Sequence, residues 1–224
     1  MSAPLPFHTF LFDLDGTLLD QFDAIHQAYA HTLPQLGLPA PTPAQVRAAV
    51  GGGVRNAMLK FVAPNRIDEA LAIYMPYWNA TMLAGAHLFP GARELLADLH
   101  ARGAKLAVLT NKAGHSSREI CTHLDLDPLL DGVFGADDTP WLKPDPALVT
   151  HVLARLERPA AGTVLVGDSI FDVAAAANAG LACWCVTTGT HTAAQLHAAG
   201  PARVFPDLPA LHAALGAGPA SSIT

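Results

Sequence analysis

The chain has 224 residues, 51% of them hydrophobic and 14% charged, with 13 Lys+Arg against 19 Asp+Glu and a net charge of −6. Such a composition fits a packed globular protein, one large domain or one domain with an insertion. It excludes a basic surface for a nucleic-acid backbone, and no Lys/Arg-rich run supplies one locally, so no nucleic-acid partner is expected.

Met1-Ser2-Ala3-Pro4 carries no positive side chain and no long apolar core follows, so no signal peptide is expected. Phe7–Phe12 reads as a strand that ends abruptly in Asp13-Leu14-Asp15-Gly16-Thr17. From Asp20 to Leu36 the apolar positions Phe22, Ile25, Tyr29, Leu33 and Leu36 recur every three or four residues, the period of an amphipathic helix ended by Gly37 and Pro39. Helices are expected over 44–50 and 54–62, separated by Gly51-Gly52-Gly53, and over 66–84, with Pro76 kinking or dividing the last.

Beyond Phe89-Pro90-Gly91, helices (92–102, 112–124, 147–156, 170–179, 193–199, 208–215) alternate with apolar strands (105–109, 132–134, 163–166, 181–186, 203–205). That alternation predicts an α/β fold, a doubly wound parallel sheet with a Rossmann-like core. About 95 residues separate Asp13 from Thr110, against roughly 30 for one βαβ crossover. The excess reads as an inserted all-helical cap, giving a core of 1–19 and 90–216, a helical cap of 20–89 and a disordered tail of 217–224.

The three cysteines form no CxxC pair, so a reducing, cytoplasmic setting is expected. Cys183 and Cys185 flank Trp184 on one strand face and read as core residues. The eleven histidines show no metal-ligand spacing. The most apolar window, 173–186, is broken by Asn178 and Gly180 and falls short of the roughly 20 residues a membrane helix needs, so no membrane partner is expected.

Three strands end in chemistry: Asp13 and Asp15, then Thr110-Asn111-Lys112, then Gly167-Asp168-Ser169 with Asp172 one turn on. In an open parallel sheet, ligands bind beyond the carboxyl ends of the strands. Lys143, in a Pro-rich loop, can reach the same crevice. Several acids at one edge suit a hard cation such as Mg²⁺, and a carboxylate is a known nucleophile in phosphoryl transfer. The plainer reading of the first stretch is a strand-to-loop turn, with Gly16 at positive φ and Thr17 capping a helix. Likewise Thr110 can simply cap the helix after it, and Lys112 reads as structural or peripheral rather than catalytic.

With these motifs in hand, the chain resembles the haloacid dehalogenase superfamily of phosphohydrolases, in particular its phosphoglycolate phosphatase-like group with a helical cap. The resemblance runs from Phe7 to about Leu215. It rests on Asp13-Leu14-Asp15-Gly16-Thr17-Leu18-Leu19-Asp20, Leu109-Thr110-Asn111-Lys112, Lys143-Pro144-Asp145-Pro146 and Gly167-Asp168-Ser169-Ile170-Phe171-Asp172. It implies that Asp13 is the nucleophile and Asp15 the general acid and base. Mg²⁺ would be held by Asp13, by the Asp15 carbonyl and by Asp168, with Asp172 supporting the site through water or Lys143. Thr110 and Lys143 would hold the phosphoryl group, with Asn111 beside them in the substrate site. Asp15 would carry its proton through burial near another carboxylate. Family members that cleave carbon–halogen or carbon–phosphorus bonds lack an acid two residues after the nucleophile, so Asp15 favours ester chemistry.

Expected, then, is a phosphoric monoester hydrolase acting on a small phosphate ester, with phosphoglycolate the family default, as a monomer or homodimer. Two alternatives stay open. A phosphomutase acting on a sugar phosphate would use the same core, and a non-catalytic binding protein would keep the fold but normally lose an acid. Arg55, near the triple glycine, either pairs with a substrate carboxylate or lies on the surface.

Overall fold

The computed structural model describes residues 4–216; the tail expected at 217–224 lies outside them. The apolar run before Asp13 forms β1 (Thr9–Phe12), buried along its whole length. The chain then turns through Gly16, at φ +85°, where a β-carbon would press on the Asp168 carboxylate and on the Gly189 backbone. Only glycine combines that backbone conformation with so close an approach.

A two-stranded antiparallel ribbon follows, β2 (Leu19–Asp20) against the returning β3 (His87–Leu88). Between them lie α1 (Phe22–Gln35), α2 (Pro43–Arg47), α3 (Val54–Met58) and α4 (Ile67–Thr81). The inserted helical cap expected from the sequence is therefore present. Two short strands too brief to show any periodicity bracket it. Both α2 and α3 stop earlier than the periodicity suggested, and the residues after each relax into turns. In contrast, α4 runs unbroken past Pro76. Pro76 removes one backbone bond, but Tyr74 and Trp78 on either side are buried, and Tyr74 packs edge-on against Tyr29 of α1. That packing holds the helix together across the missing bond.

The core continues with α5 (Ala92–Ala101), β4 (Lys105–Leu109), α6 (Gly114–His123), β5 (Gly132–Phe134), α7 (Pro146–Leu156) and β6 (Thr163–Gly167). It closes with α8 (Ile170–Asn178), β7 (Ala182–Val186), α9 (Ala193–Ala199), β8 (Arg203–Phe205) and α10 (Leu208–Gly216). The sheet order is β5-β4-β1-β6-β7-β8, every pairing parallel. Alternate residues along each strand feed opposite layers. Phe10, Phe12, Val108 and Val166 pack with Leu95 and Leu99 of α5, in a cluster that extends into the cap. Leu11, Leu109 and Leu165 pack on the other side with Leu148 of α7 and Val173 of α8.

Cys183 and Cys185 sit in that second layer as free thiols, their sulfurs 3.7 Å apart, in keeping with a core role. Among the described residues, no helix is long and apolar enough to cross a membrane.

The register fixes where chemistry falls. Phe12 pairs with Val108 on one side and Val166 on the other. Asp13, Thr110 and Asp168 therefore leave the sheet along one edge. The chain fills the β4–β5 side of β1 before crossing to β6, so this edge is the switch point at which open α/β sheets bind ligands.

Candidate active site

Lys143 organises the buried part of the site. Its ammonium lies 2.9 Å from Asp13 Oδ1 and 2.7 Å from Asp172 Oδ1, and donates to the Leu109 carbonyl at 2.9 Å. Burial alone would lower its pKa, but the two carboxylates outweigh burial and raise it, so the group stays an ammonium. Asp172 is fixed from its other oxygen by the Ser169 amide at 3.0 Å and the Ser169 hydroxyl at 2.6 Å. Asp13 also accepts the Leu14 amide at 2.7 Å.

Asp168 faces this group from β6. Its Oδ2 accepts the Thr190 amide at 2.7 Å and hydroxyl at 2.9 Å, and its Oδ1 accepts the Thr17 hydroxyl at 3.2 Å. Thr17 thus braces an acid and caps no helix. Oxygens of Asp13, Asp168 and Asp172 come within 4.8 Å of one another, all three side chains buried. Burial pushes the Asp13 carboxyl up to about 6, with Lys143 opposing and Asp172 adding to the rise. Burial and the charges of Asp13 and Asp172 push Asp168 up to about 8, against the Thr190 donors. Three buried carboxylates with one ammonium among them carry surplus negative charge, and their donor atoms are all oxygen. That donor set fits a hard divalent cation.

The second acid of the opening motif takes a different partner. Asp15 is half-buried and turned to Lys112, whose ammonium lies 3.1 and 3.0 Å from its two oxygens. The same ammonium donates to Gln21 Oε1 at 3.0 Å and stands 4.4 Å from the centroid of the Trp78 ring. The sequence predicts a carboxylate near Asp15 and a structural or peripheral Lys112. In the structure an ammonium faces Asp15, and Lys112 supplies it. The Asp15 carboxylate stands outside the three-acid cluster.

Thr110 is buried and lines the same cavity, accepting the Lys112 amide at 3.2 Å. It does not cap α6, which begins only at Gly114. Asn111 lines the cavity as well, but its amide is engaged by the protein: it accepts the Lys143 amide at 2.8 Å and donates to the Lys143 carbonyl at 3.1 Å and the Gly51 carbonyl at 3.0 Å. Arg55 is not brought to the site. It is exposed and pairs with Asp68 at 2.5 Å, the surface alternative of the two readings. The groups sequence reasoning passed over are Lys112, Gln21, Thr17, Thr190 and Trp78. Only Lys112 and Thr17 lay inside a recognised motif; the others reach the site through tertiary packing alone.

The cavity beyond these groups has a volume of about 80 Å³, on a scale where a single water needs roughly 10–15 Å³. Asp13, Asp15, Thr110 and Asp168 line its floor, and Tyr29, Val54, Tyr74 and Trp78 of the cap its roof.

Acids at the ends of β1 and β6, a buried lysine between them and a helical roof define a Rossmann-like α/β core whose site suits phosphoryl chemistry. Comparison with known proteins agrees. The profile of the haloacid dehalogenase-like hydrolase family matches residues 10–186. A phosphoglycolate phosphatase of Pseudomonas syringae pv. tomato is 34% identical over 207 residues, covering 88% of this chain and 76% of that protein. A probable phosphatase, IndB, of Dickeya dadantii is 35% identical over 197 residues, covering 85% and 86%. Among solved structures, a haloacid dehalogenase-like family hydrolase from Streptococcus pneumoniae superposes with a TM-score of 0.86 at 25% identity, covering 93% of this chain and 98% of that one. CbbY from Rhodobacter sphaeroides, solved with phosphate, shares the fold at a TM-score of 0.77 and 24% identity over 92% and 96% of the two chains. The chain belongs to the haloacid dehalogenase-like hydrolases, and within them it is a phosphoric monoester hydrolase.

Proposed function

We propose that the protein is a Mg²⁺-dependent phosphatase that hydrolyses a small phosphate monoester through an aspartyl-phosphate on Asp13. The observation that carries this reading is the buried grouping of Asp13, Asp168 and Asp172 on Lys143, with Asp15 held separately at the cavity wall. Asp13 attacks phosphorus and the ester P–O bond breaks. With Asp15 protonated at the start of the cycle against the pull of the Lys112 ammonium, that proton passes to the departing alkoxide and one is taken back from the water that attacks the aspartyl-phosphate, releasing phosphate and restoring Asp13. Thr110 and Lys143 hold the phosphoryl oxygens. Mg²⁺, held by Asp13, Asp168 and the Asp15 carbonyl with Asp172 behind them, would supply charge neutralisation.

Residues 20–89 act in this reading as the cap over a core of 1–19 and 90–216, and exclude water from the phosphoryl group. Because the relatives bear the name phosphoglycolate phosphatase, phosphoglycolate is the reference substrate. Purified protein with Mg²⁺ should release phosphate from a small generic phosphoester such as ethyl phosphate, and chelator or Asp13→Asn should abolish that release. A protein that neither releases phosphate nor binds beryllium fluoride or aluminium fluoride would overturn the proposal.

A further inference from the structure

The cap contributes Ile25, Tyr29, Val54, Ala57, Tyr74 and Trp78 to the cavity, none of them charged. Tyr29, Tyr74 and Trp78 form a continuous aromatic wall, with successive ring centroids 5.2 and 6.1 Å apart, ending at the Lys112 ammonium, and Phe61 packs on Tyr29 outside the lining at 5.1 Å. Lys112 is the one cationic side chain lining the cavity, and Asp15, Gln21 and the Trp78 ring already surround its charge. A carboxylate lodged in this half would lose its hydration and gain no free cation. A leaving group with many hydroxyls would fare little better against an apolar wall.

That wall carries three polar atoms, the Tyr29 and Tyr74 hydroxyls and the Trp78 indole nitrogen, and the first of them is set apart by its surroundings. Tyr29 is 1% exposed, and among the described residues its hydroxyl is the one buried side-chain polar atom with no hydrogen-bond partner. Leaving such a group unpaired is destabilising. It belongs to a cavity-lining residue but is itself sealed from the cavity space, so a ligand supplies the partner once the side chains around it move aside.

We propose that this half of the cavity binds the alcohol part of the ester. That alcohol is neutral, presents an aromatic ring or a similarly flat apolar body to Tyr74 and Trp78, and sets one hydrogen-bonding group against the Tyr29 hydroxyl. The inference rests on the phosphatase reading above and narrows it to aryl-bearing phosphomonoesters in preference to phosphoglycolate.

The test compares kcat/KM for benzyl phosphate, 3-hydroxybenzyl phosphate and phosphoglycolate, all esters of weakly acidic alcohols, with ethyl phosphate as the generic control. Both benzyl esters should exceed phosphoglycolate by about tenfold or more, and the hydroxylated ester should exceed the plain one by about five- to tenfold, the worth of one hydrogen bond. In Tyr29→Phe the ratio between the two benzyl esters should collapse to about one. Phosphoglycolate equalling or surpassing the benzyl esters overturns the inference, as does a benzyl-ester ratio unchanged in Tyr29→Phe. If that variant does not fold, the wild-type preference decides. Turnover of ethyl phosphate without turnover of the benzyl esters sinks the inference alone; no phosphate release from any ester sinks the phosphatase reading together with it.

Discussion

Lys143 and Tyr29 are the two buried polar side chains whose surroundings differ most. Lys143 is held by Asp13, Asp172 and a carbonyl, so its desolvation is offset by three partners. Lys143→Met would leave two carboxylates buried together without their counter-charge. We expect loss of phosphatase activity and a drop in unfolding free energy of about 3–5 kcal/mol in urea titrations of the metal-free protein. A drop well under 1 kcal/mol would mean that the carboxylates find another partner. Tyr29 is the opposite case, since its hydroxyl has no partner to lose. Tyr29→Phe keeps the ring contacts with Phe61 and Tyr74 and removes only the unpaired atom. The substrate-free protein should therefore gain about 1 kcal/mol, seen as a higher urea midpoint with an unchanged slope.

At the level of elements, the edge formed by the ends of β1, β4 and β6 holds its geometry because neighbouring loops pack against it without side chains. The turn after β7 passes so close to Asp168 that a β-carbon on Gly189 would overlap the carboxylate, while Thr190 next to it donates twice to the same oxygen. Gly189→Ala should displace Asp168, leaving β7 in place. The Mg²⁺ concentration for half-maximal activity should rise at least about tenfold, the usual scale for disturbing a ligand's supporting shell; an unchanged Mg²⁺ titration would refute that coupling. The strands and their acids were legible in the sequence because each is an apolar run cut short by a polar motif. The Gly51-Gly52-Gly53 break and the helices around it were legible as well. The β2–β3 ribbon was not, since two-residue strands carry no period. Thr190 was equally hidden: nothing in the polar run from Thr187 to Thr192 distinguishes the threonine that meets an acid 22 residues away. The Lys112–Asp15 pair was hidden because the two lie 97 residues apart, and the two readings of Arg55 stayed open because spacing does not tell which way a long side chain turns.

For the molecule as a whole, the acid cluster ties stability to pH and to metal. Asp13 and Asp168 are raised, chiefly by burial, to about 6 and about 8, whereas an unfolded Asp titrates near 3.9. A carboxyl whose folded pKa lies above its unfolded value holds more protons in the native state over the interval between them. Its stabilising contribution is complete below the unfolded pKa and is lost as pH rises through the folded one. Metal-free protein should therefore melt at progressively lower temperature from about pH 5 to about pH 8, first as Asp13 and then as Asp168 ionises. With the proposed metal site, a divalent cation would act in the reverse sense, because it would bind the ionised cluster of the native state and find no comparable site in the unfolded chain. The melting-temperature gain from added Mg²⁺ should thus grow with pH over the same interval. Calorimetric scans with chelator and with Mg²⁺ at both ends of the range measure this directly. Asp168→Asn supplies the internal control, since its neutral amide should flatten the upper half of the metal-free slope and remove most of the Mg²⁺ gain. A metal-free melting temperature that rises toward pH 8, or a Mg²⁺ gain of equal size at both ends, would show that surplus charge in the cluster does not govern the stability of the fold.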